Sequence, residues 1–458
     1  MSLPREHERL EFKEAKSQFD LGALYRYCVA LANEGGGRLI LGVSDKPPRR
    51  VVGSGAFRNP DELKNRVFEK LRFRIETEEL AHPDGRVLII QVPSRPVGTA
   101  YQVDGAYVMR SGDGTVPMTE DRLRAIFEEG KPDWLSETAK SNVLAADIVE
   151  LLDTQTFFNL IKLPYPETRD GVIERLLQER LIEKESGSYR ISNLCALLLA
   201  RRLSEFGDLA RKAPRVVVYN STNKLDTKTD RIGVRGYAVG FENLIDFIVS
   251  QTPSNEVIQK AIREEVKMYP EIAIRELVAN ALIHQDFNEH GTSVMIEIFT
   301  DRIEISSPGA PFIVPDRFID GYQSRNERLA DLMRRLGICE ERGSGIDRVV
   351  SNVELFQLPA PDFRAGERRT IVVLFAHKSF KEMDRNDRIR ACYQHCCLRY
   401  VMNQRMMNQS LRDRFKLPES RSDAASRIIR DTVDADLIKT ENPESPSKKY
   451  ARYVPYWA

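Results

Sequence analysis

The stretch Tyr269–Phe287, YPEIAIRELVANALIHQDF, constrains this chain more than any other. Wound as a helix, it stacks Ile274, Leu277, Val278, Ala281 and Leu282 into one apolar face. Glu276, Asn280 and His284 recur every fourth residue and share a polar stripe beside that face. A carboxylate, an amide and an imidazole aimed one way can coordinate a metal and activate a water. Alone, such a stripe is more often a solvated helix face. Two later segments argue otherwise. Residues 301–309, DRIEISSPG, read as a short strand running into a Pro-Gly turn. Gly343-Ser344-Gly345, within EERGSGIDRVV, opens an apolar helix, an arrangement that offers backbone N–H groups to phosphate.

Helix, strand with Pro-Gly, and glycine-rich helix start, in that order, resemble the GHKL (Bergerat-fold) ATPases. More closely they resemble the branch described as the RecG-like C-terminal domain. The resemblance implies ATP as cofactor, with Glu276 as general base and Asn280 as ligand to the Mg²⁺ that bridges the phosphates. It puts Gly309 in the first glycine box and Gly343, Ser344 and Gly345 in the second, and it counts His284 among the cofactor contacts. Residues 324–330, SRNERLA, match the RNxxLA element of the lid between the boxes, which brings Arg325 and Asn326 to the nucleotide. One departure stands out: Ser306 and Ser307 lie near the place where the usual first box has an aspartate that reads the adenine amino group.

The N-terminal 125 residues read as one α/β unit, with a helix over Leu21–Asn33, a glycine break at 35–37, and strands at Arg38–Val43, Val87–Val92 and Tyr107–Arg110. Glu6, Glu11 and Asp45 flank the first strands, with Lys13 two residues after Glu11. Carboxylates from separate elements plus a lysine can hold a divalent cation and stabilise charge on a phosphate. Acidic residues beside surface strands are also simply common. The wider string EFK, LANEGGGRLILGVSDK and YVMRSGDGTVPM resembles the Schlafen AlbA-like domain. That domain binds nucleic acid, and some of its members cleave RNA with three carboxylates. The resemblance maps these onto Glu6, Glu11 and Asp45, with Mg²⁺ or Mn²⁺ between them, and Lys13 onto the motif lysine. It places Tyr107 and Arg110 on a loop that contacts the nucleic-acid backbone. Other members of the family are DNA-binding regulators.

Residues 126–200 read as a winged-helix-like unit, with helices over Asn142–Leu152 and Thr168–Gln178 and a hairpin at LIEKESGSYRIS. Residues 201–377 form the nucleotide unit, whose 225–236 stretch reads as a mobile loop. Residues 378–458 read as a second winged helix: helices over Asn408–Arg414 and Ala424–Ala435, then a wing. Arg421, Arg427 and Arg430 lie on or before its second helix, where nucleic-acid contacts belong, although a solvated charged face fits equally. The tail segment CYQHCC lacks a paired zinc knuckle and reads better as buried helix.

With 69 Lys+Arg against 68 Asp+Glu, the net charge of +1 gives no overall nucleic-acid footprint, so any such surface is local. Six irregularly spaced cysteines, no apolar run of membrane length and no leader-like start point to a cytoplasmic protein. The expectation is an α/β multidomain protein: AlbA-like, winged-helix, GHKL-type α/β sandwich and winged-helix domains, with RNA or DNA as partner and a homodimer favoured. The favoured activity is a nucleotide-regulated, metal-dependent nuclease, plausible in defence against foreign nucleic acid, with or without weak ATPase turnover. The alternative is an ATP-responsive transcriptional regulator.

Overall fold

The apolar runs of the first 132 residues order themselves into a four-stranded sheet. Its strands are β1 (Leu10–Lys13), β2 (Gly37–Leu41), β3 (Glu76–His82) and β4 (Gly85–Val92), with α1 (Leu21–Asn33) and α2 (Pro60–Leu71) between them. The sheet order is β1-β2-β4-β3, with only β1–β2 parallel. Asp20 caps α1 by accepting from the Ala23 N–H at 2.7 Å, and Leu24, Cys28 and Leu31 give it a buried face at helical spacing. Gly37 begins β2 because a Cβ there would stand 2.5 Å from the Arg9 carbonyl oxygen. A second sheet, β5 (Gln102–Val103), β6 (Ala106–Ser111) and β7 (Gly114–Pro117), is followed by α3 (Glu120–Glu128).

This computed structural model describes residues 7–442 and 451–458, apart from 47, 112–113, 131–132, 253, 260–261, 322 and 340–344. Glu6, Gly343 and Ser344 therefore lie outside the described residues. The chain is mixed α/β and divides into two compact units, 1–132 and 133–458.

The second unit begins with β8 (Thr138–Val143), α4 (Ala145–Leu151), α5 (Thr154–Leu160), α6 (Arg169–Gln178), β9 (Ile182–Lys184), β10 (Tyr189–Ser192) and α7 (Asn193–Leu199). Here a single helix expected over Asn142–Leu152 is instead a strand and a shorter helix. Asn142 takes a positive φ of 54° near the end of β8, which breaks the helical path, and the ladder to β10 shifts register beside it. Helix α5 follows, capped by Asp153 on the Thr156 N–H.

Next come β11 (Arg215–Tyr219), β12 (Thr227–Ile232), α8 (Tyr237–Gln251), the hairpin β13 (Ser254–Gln259) and β14 (Ile262–Lys267), and α9 (Glu271–His284). They are followed by β15 (Met295–Ile298), β16 (Arg302–Pro308), α10 (Glu327–Arg335), α11 (Gly345–Leu355), β17 (Asp362–Ala365) and β18 (Arg369–Phe375). Six of these strands form one sheet in the order β12-β11-β15-β16-β18-β17, and α9 packs on β16 between α8 and α11. The stretch expected as a mobile loop, 225–236, holds edge strand β12, paired along its length with β11.

The tail carries α12 (Arg385–Val401), α13 (Asn408–Arg414), α14 (Ser422–Asp434) and the wing strands β19 (Ile438–Thr440) and β20 (Tyr453–Pro455). Cys392, Cys396 and Cys397 are buried in α12, and burial pushes the Cys392 and Cys397 thiols up to about 12. They are apolar packing in a core shared with Val350 of α11. No helix among the described residues is long and apolar enough to cross a membrane.

Candidate functional site

Helix α9 runs as its periodicity requires. Ile274, Leu277, Val278, Ala281 and Leu282 are buried, while Glu276, Asn280 and His284 line a cavity of about 1260 Å³ including its open mouth. The sheet contributes Ile305 and Ser307 of β16 with Thr370 and Val372 of β18, and the segment before α10 contributes Phe312, Phe318, Ser324 and Arg325.

The first residue of α11 closes one end. A Cβ on Gly345 would lie 2.8 Å from Glu276 Oε2 and 3.7 Å from Asn280 Nδ2, so the helix start approaches both side chains. Arg348, one turn on, donates to Glu276 Oε1 at 3.3 Å. Burial raises the Glu276 carboxyl above its usual range, and Arg348 only partly offsets this, which suits a group asked to accept a proton. A helix N-terminus facing a carboxylate and an amide is a setting for a phosphate with its cation: the Asn280 side-chain oxygen could serve Mg²⁺, which takes few protein ligands and the rest from phosphate and water.

At the other end of the stripe, burial first and the Arg325 cation second push the His284 imidazole down to about 4, so it is neutral. The residue is nevertheless exposed and lines the cavity. Gly309 has a φ of +96°, and a Cβ there would stand 2.7 Å from the Asp286 Cβ. It shapes the turn beside the cavity rather than lining it.

Two residues expected as nucleotide contacts of the lid behave differently from each other. Arg325 lines the cavity, held by Asp286 Oδ2 at 3.0 Å and the Ala310 carbonyl at 2.6 Å, with its guanidinium 4.1 Å from the Phe312 ring centroid. Asn326 does not line it. Its Nδ2 donates to the Ile283 and Gln285 carbonyls at 2.6 and 2.8 Å, satisfying the orphaned C-terminal end of α9. Arg348, Arg334 and Thr370 at the cavity were not singled out from sequence. Only Arg348 left a signal there, being one turn beyond Gly345.

The acidic site of the first unit is arranged otherwise. Glu11 and Lys13 point to one side of β1, as residues two apart on a strand must. Glu11 is buried, and its Oε1 is 2.6 Å from Lys13 Nζ while its Oε2 accepts from Arg110 Nη2. Burial alone would lower the Lys13 ammonium, but the Glu11 hydrogen bond and charge outweigh it and raise it. Asp45 is half exposed. Its Oδ1 accepts from the Glu14 N–H at 2.9 Å and its Oδ2 stands 3.8 Å from Lys13 Nζ. Glu11, Lys13 and Asp45 thus come together, but two protein cations occupy the Glu11 oxygens, which does not fit a carboxylate pair gripping a divalent ion. Among the described residues, no group of three or more His, Cys, Asp or Glu is placed to hold a metal.

Arg110, expected on a loop touching nucleic acid, is inside the fold on β6, with its Nη1 3.3 Å from the Thr115 hydroxyl. The β6 strand direction turns it inward, because burying it against Glu11 neutralises both. Tyr107 is half-buried against Phe127, edge to face at 6.4 Å. Asn33 was also missed: its Nδ2 donates to the Tyr101 and Val108 carbonyls and its Oδ1 accepts from the Tyr101 N–H, tying the end of α1 to the second sheet.

In the tail, Arg421, Arg427 and Arg430 are exposed at and along α14. The tail is tied to α11. Glu354, in its last turn, receives His395 Nδ1 at 3.0 Å and lies 3.4 Å from the buried Arg414 guanidinium, which donates to the Leu358 carbonyl at 2.6 Å.

Comparison with known proteins gives two family matches. Residues 6–119 match the model "Schlafen, AlbA_2", and residues 291–374 match "Putative ATP-dependent DNA helicase recG C-terminal". The chain therefore joins an AlbA-like domain to a C-terminal ATPase-like domain, a pairing related to ATP and nucleic acid. No curated protein matches it. Among solved structures, a Corynebacterium diphtheriae protein is similar at 17% identity and a TM-score of 0.46, over 98% of this chain and 92% of that one. The N-terminal domain of a "Putative ATP-dependent DNA Helicase RecG-related Protein" from Nitrosomonas europaea is similar at 21% identity and a TM-score of 0.19, over 25% of this chain and 84% of that one.

Proposed function

We propose that this protein binds nucleic acid under the control of a bound nucleotide, as a regulator rather than a nuclease. The contrast between its two acidic sites carries the reading. Glu276 and Asn280 face an open cavity at a helix start, whereas Glu11 is neutralised in place by Arg110 and Lys13. In the first site Asn280 would hold Mg²⁺, which supplies charge neutralisation for the phosphates. Glu276 is placed to orient a water and take its proton, and the start of α11 donates to phosphate oxygens. In the second, a carboxylate with both oxygens engaged by cations holds strands together.

Nucleic acid is assigned to α14. Replacing Arg427 and Arg430 together by Ala should weaken binding of any sequence and reduce the slope of log affinity against log salt by about 1 per arginine. An unchanged slope would return those residues to a solvated face.

The reading as a whole is tested by fluorescence anisotropy with labelled single-stranded RNA and duplex DNA, with and without ATP·Mg²⁺. Affinity should change by about 5-fold or more on adding nucleotide, the usual scale of coupling between sites. The nucleic acid should remain intact in Mn²⁺. Cleavage that requires Mn²⁺ and disappears in Asp45→Ala would replace the regulator with a nuclease.

A further inference from the structure

Residues 311–324 form a strap between β16 and α10, and they supply Phe312, Ile313, Phe318 and Ser324 to the wall of the α9 cavity. Arg325 draws the two ends of the strap together by donating to the Ala310 carbonyl at 2.6 Å. The backbone hydrogen bonds inside it are local. Arg317 N–H reaches the Val314 carbonyl, Phe318 N–H the Pro315 carbonyl, and the Asp320 and Gly321 N–H groups the Arg317 carbonyl. A closed loop bonded only to itself can open on its own unless something outside holds its middle.

Here the hold comes from the tail. At the turn Pro315–Arg317, the Asp316 carbonyl accepts from the Tyr393 hydroxyl of α12 at 2.6 Å. Among the described residues, no other hydrogen bond joins residues 311–324 to the rest of the protein. The same hydroxyl accepts from Trp457 Nε1, two residues past β20, at 3.2 Å. The Arg317 guanidinium lies 4.8 Å from the centroid of the Trp457 ring, and Tyr400 meets that ring edge-on at 5.2 Å. Ile319 is buried in the core that also holds Cys392 and Leu411 of the tail. Phe318 turns the other way and meets Phe363 of β17 edge to face at 5.5 Å.

The strap is not packed flush on the tail. A second cavity of about 740 Å³, including its open mouth, separates Pro315 and Phe318 from Ile389, Arg390 and Gln394 of α12. Phe318, Ile346 and Phe363 line both cavities, so the strap is a thin wall with space on its two faces. Such a wall keeps its place through its anchors more than through close packing. We infer that Tyr393 and Trp457 form a latch that pins the strap over the α9 cavity, so that the tail sets how fast a bound nucleotide leaves. Neither residue lines that cavity, and both are positioning residues acting through Asp316 and Arg317. The inference rests on the nucleotide reading of the cavity and adds a control of release to it.

Stopped-flow displacement of a fluorescent ATP analogue by excess ATP, with Mg²⁺ and the full chain, reads the release rate. Trp457→Ala should speed release about 5- to 10-fold. Tyr393→Phe keeps the ring and deletes only the hydroxyl, and it should speed release about 3- to 5-fold. Arg317→Gln removes the strap's side of the contact and should approach the Trp457→Ala rate. The double variant Arg317→Gln/Trp457→Ala should release no faster than the quicker single variant, because the two changes break one contact. General damage to the tail by Trp457→Ala would instead add to the effect of Arg317→Gln.

Release at the wild-type rate in folded Tyr393→Phe and Arg317→Gln overturns the latch and leaves the nucleotide site standing. So does full additivity in the double variant. If the analogue does not bind the wild-type chain at all, the nucleotide reading falls and the latch with it. Should Trp457→Ala unfold the tail, Tyr393→Phe and Arg317→Gln still decide.

Discussion

Glu11→Ala should cost the N-terminal unit about 3–5 kcal/mol, the usual penalty for removing one partner of a buried ion pair. The Arg110 side chain is fully buried and the Glu11 side chain is 1% exposed. Deleting the carboxylate therefore takes the Glu11 charge away from a guanidinium in the interior, beside a lysine that has lost its main partner. Whole-domain stabilities run from about 5 to 15 kcal/mol, so this loss is a large fraction of the total. A melt of residues 1–132 within the full chain should drop by roughly 10 °C or more. Asp45→Ala provides the contrast. Asp45 is half exposed and caps one N–H, so its loss should cost about 1 kcal/mol. A melt in which both variants match wild type would refute a structural role for Glu11.

Asn280→Ala is the second large effect. It removes the amide on the α9 stripe that faces the start of α11, and with it the oxygen that, on the proposed reading, would be offered to a phosphate-bound Mg²⁺. Affinity for ATP·Mg²⁺ should fall about 10–100-fold, the scale of damage to a metal's immediate surroundings. Glu276→Gln keeps the shape and the contact to Arg348. It should bind nucleotide nearly as wild type and lose only whatever hydrolysis the protein performs. A thermal-shift titration separates the two: full nucleotide stabilisation of Asn280→Ala would overturn the assignment of the stripe.

Helix α9 was legible in the sequence because one element carries both its signals, a 3.6-residue apolar period and a four-residue polar repeat on the adjoining face. In the tail, Asn408–Arg414 is found at its expected ends. What was not legible depends on distant residues. Arg110 resembles any strand arginine until β6 brings it to Glu11, a partner 99 positions away. Asn326 sits in a lid-like motif, yet its amide is spent on carbonyls at the end of α9. Strand β12, TKTDRI, has no apolar alternation because it is an exposed edge, and its strand state comes from the ladder to β11.

Helix α11 is only 11 residues long, about 16 Å, yet its first residue abuts Glu276 and its last turn is gripped by His395 and Arg414 of the tail. A short rigid rod shared by two sites obeys a conservation law: whatever factor a ligand at one end imposes on affinity at the other is returned in full by the second ligand on the first. On the function proposed above, nucleic acid on the tail would act as an effector of nucleotide retention, and the fraction of protein loaded with nucleotide would be a readout of how much nucleic acid is engaged.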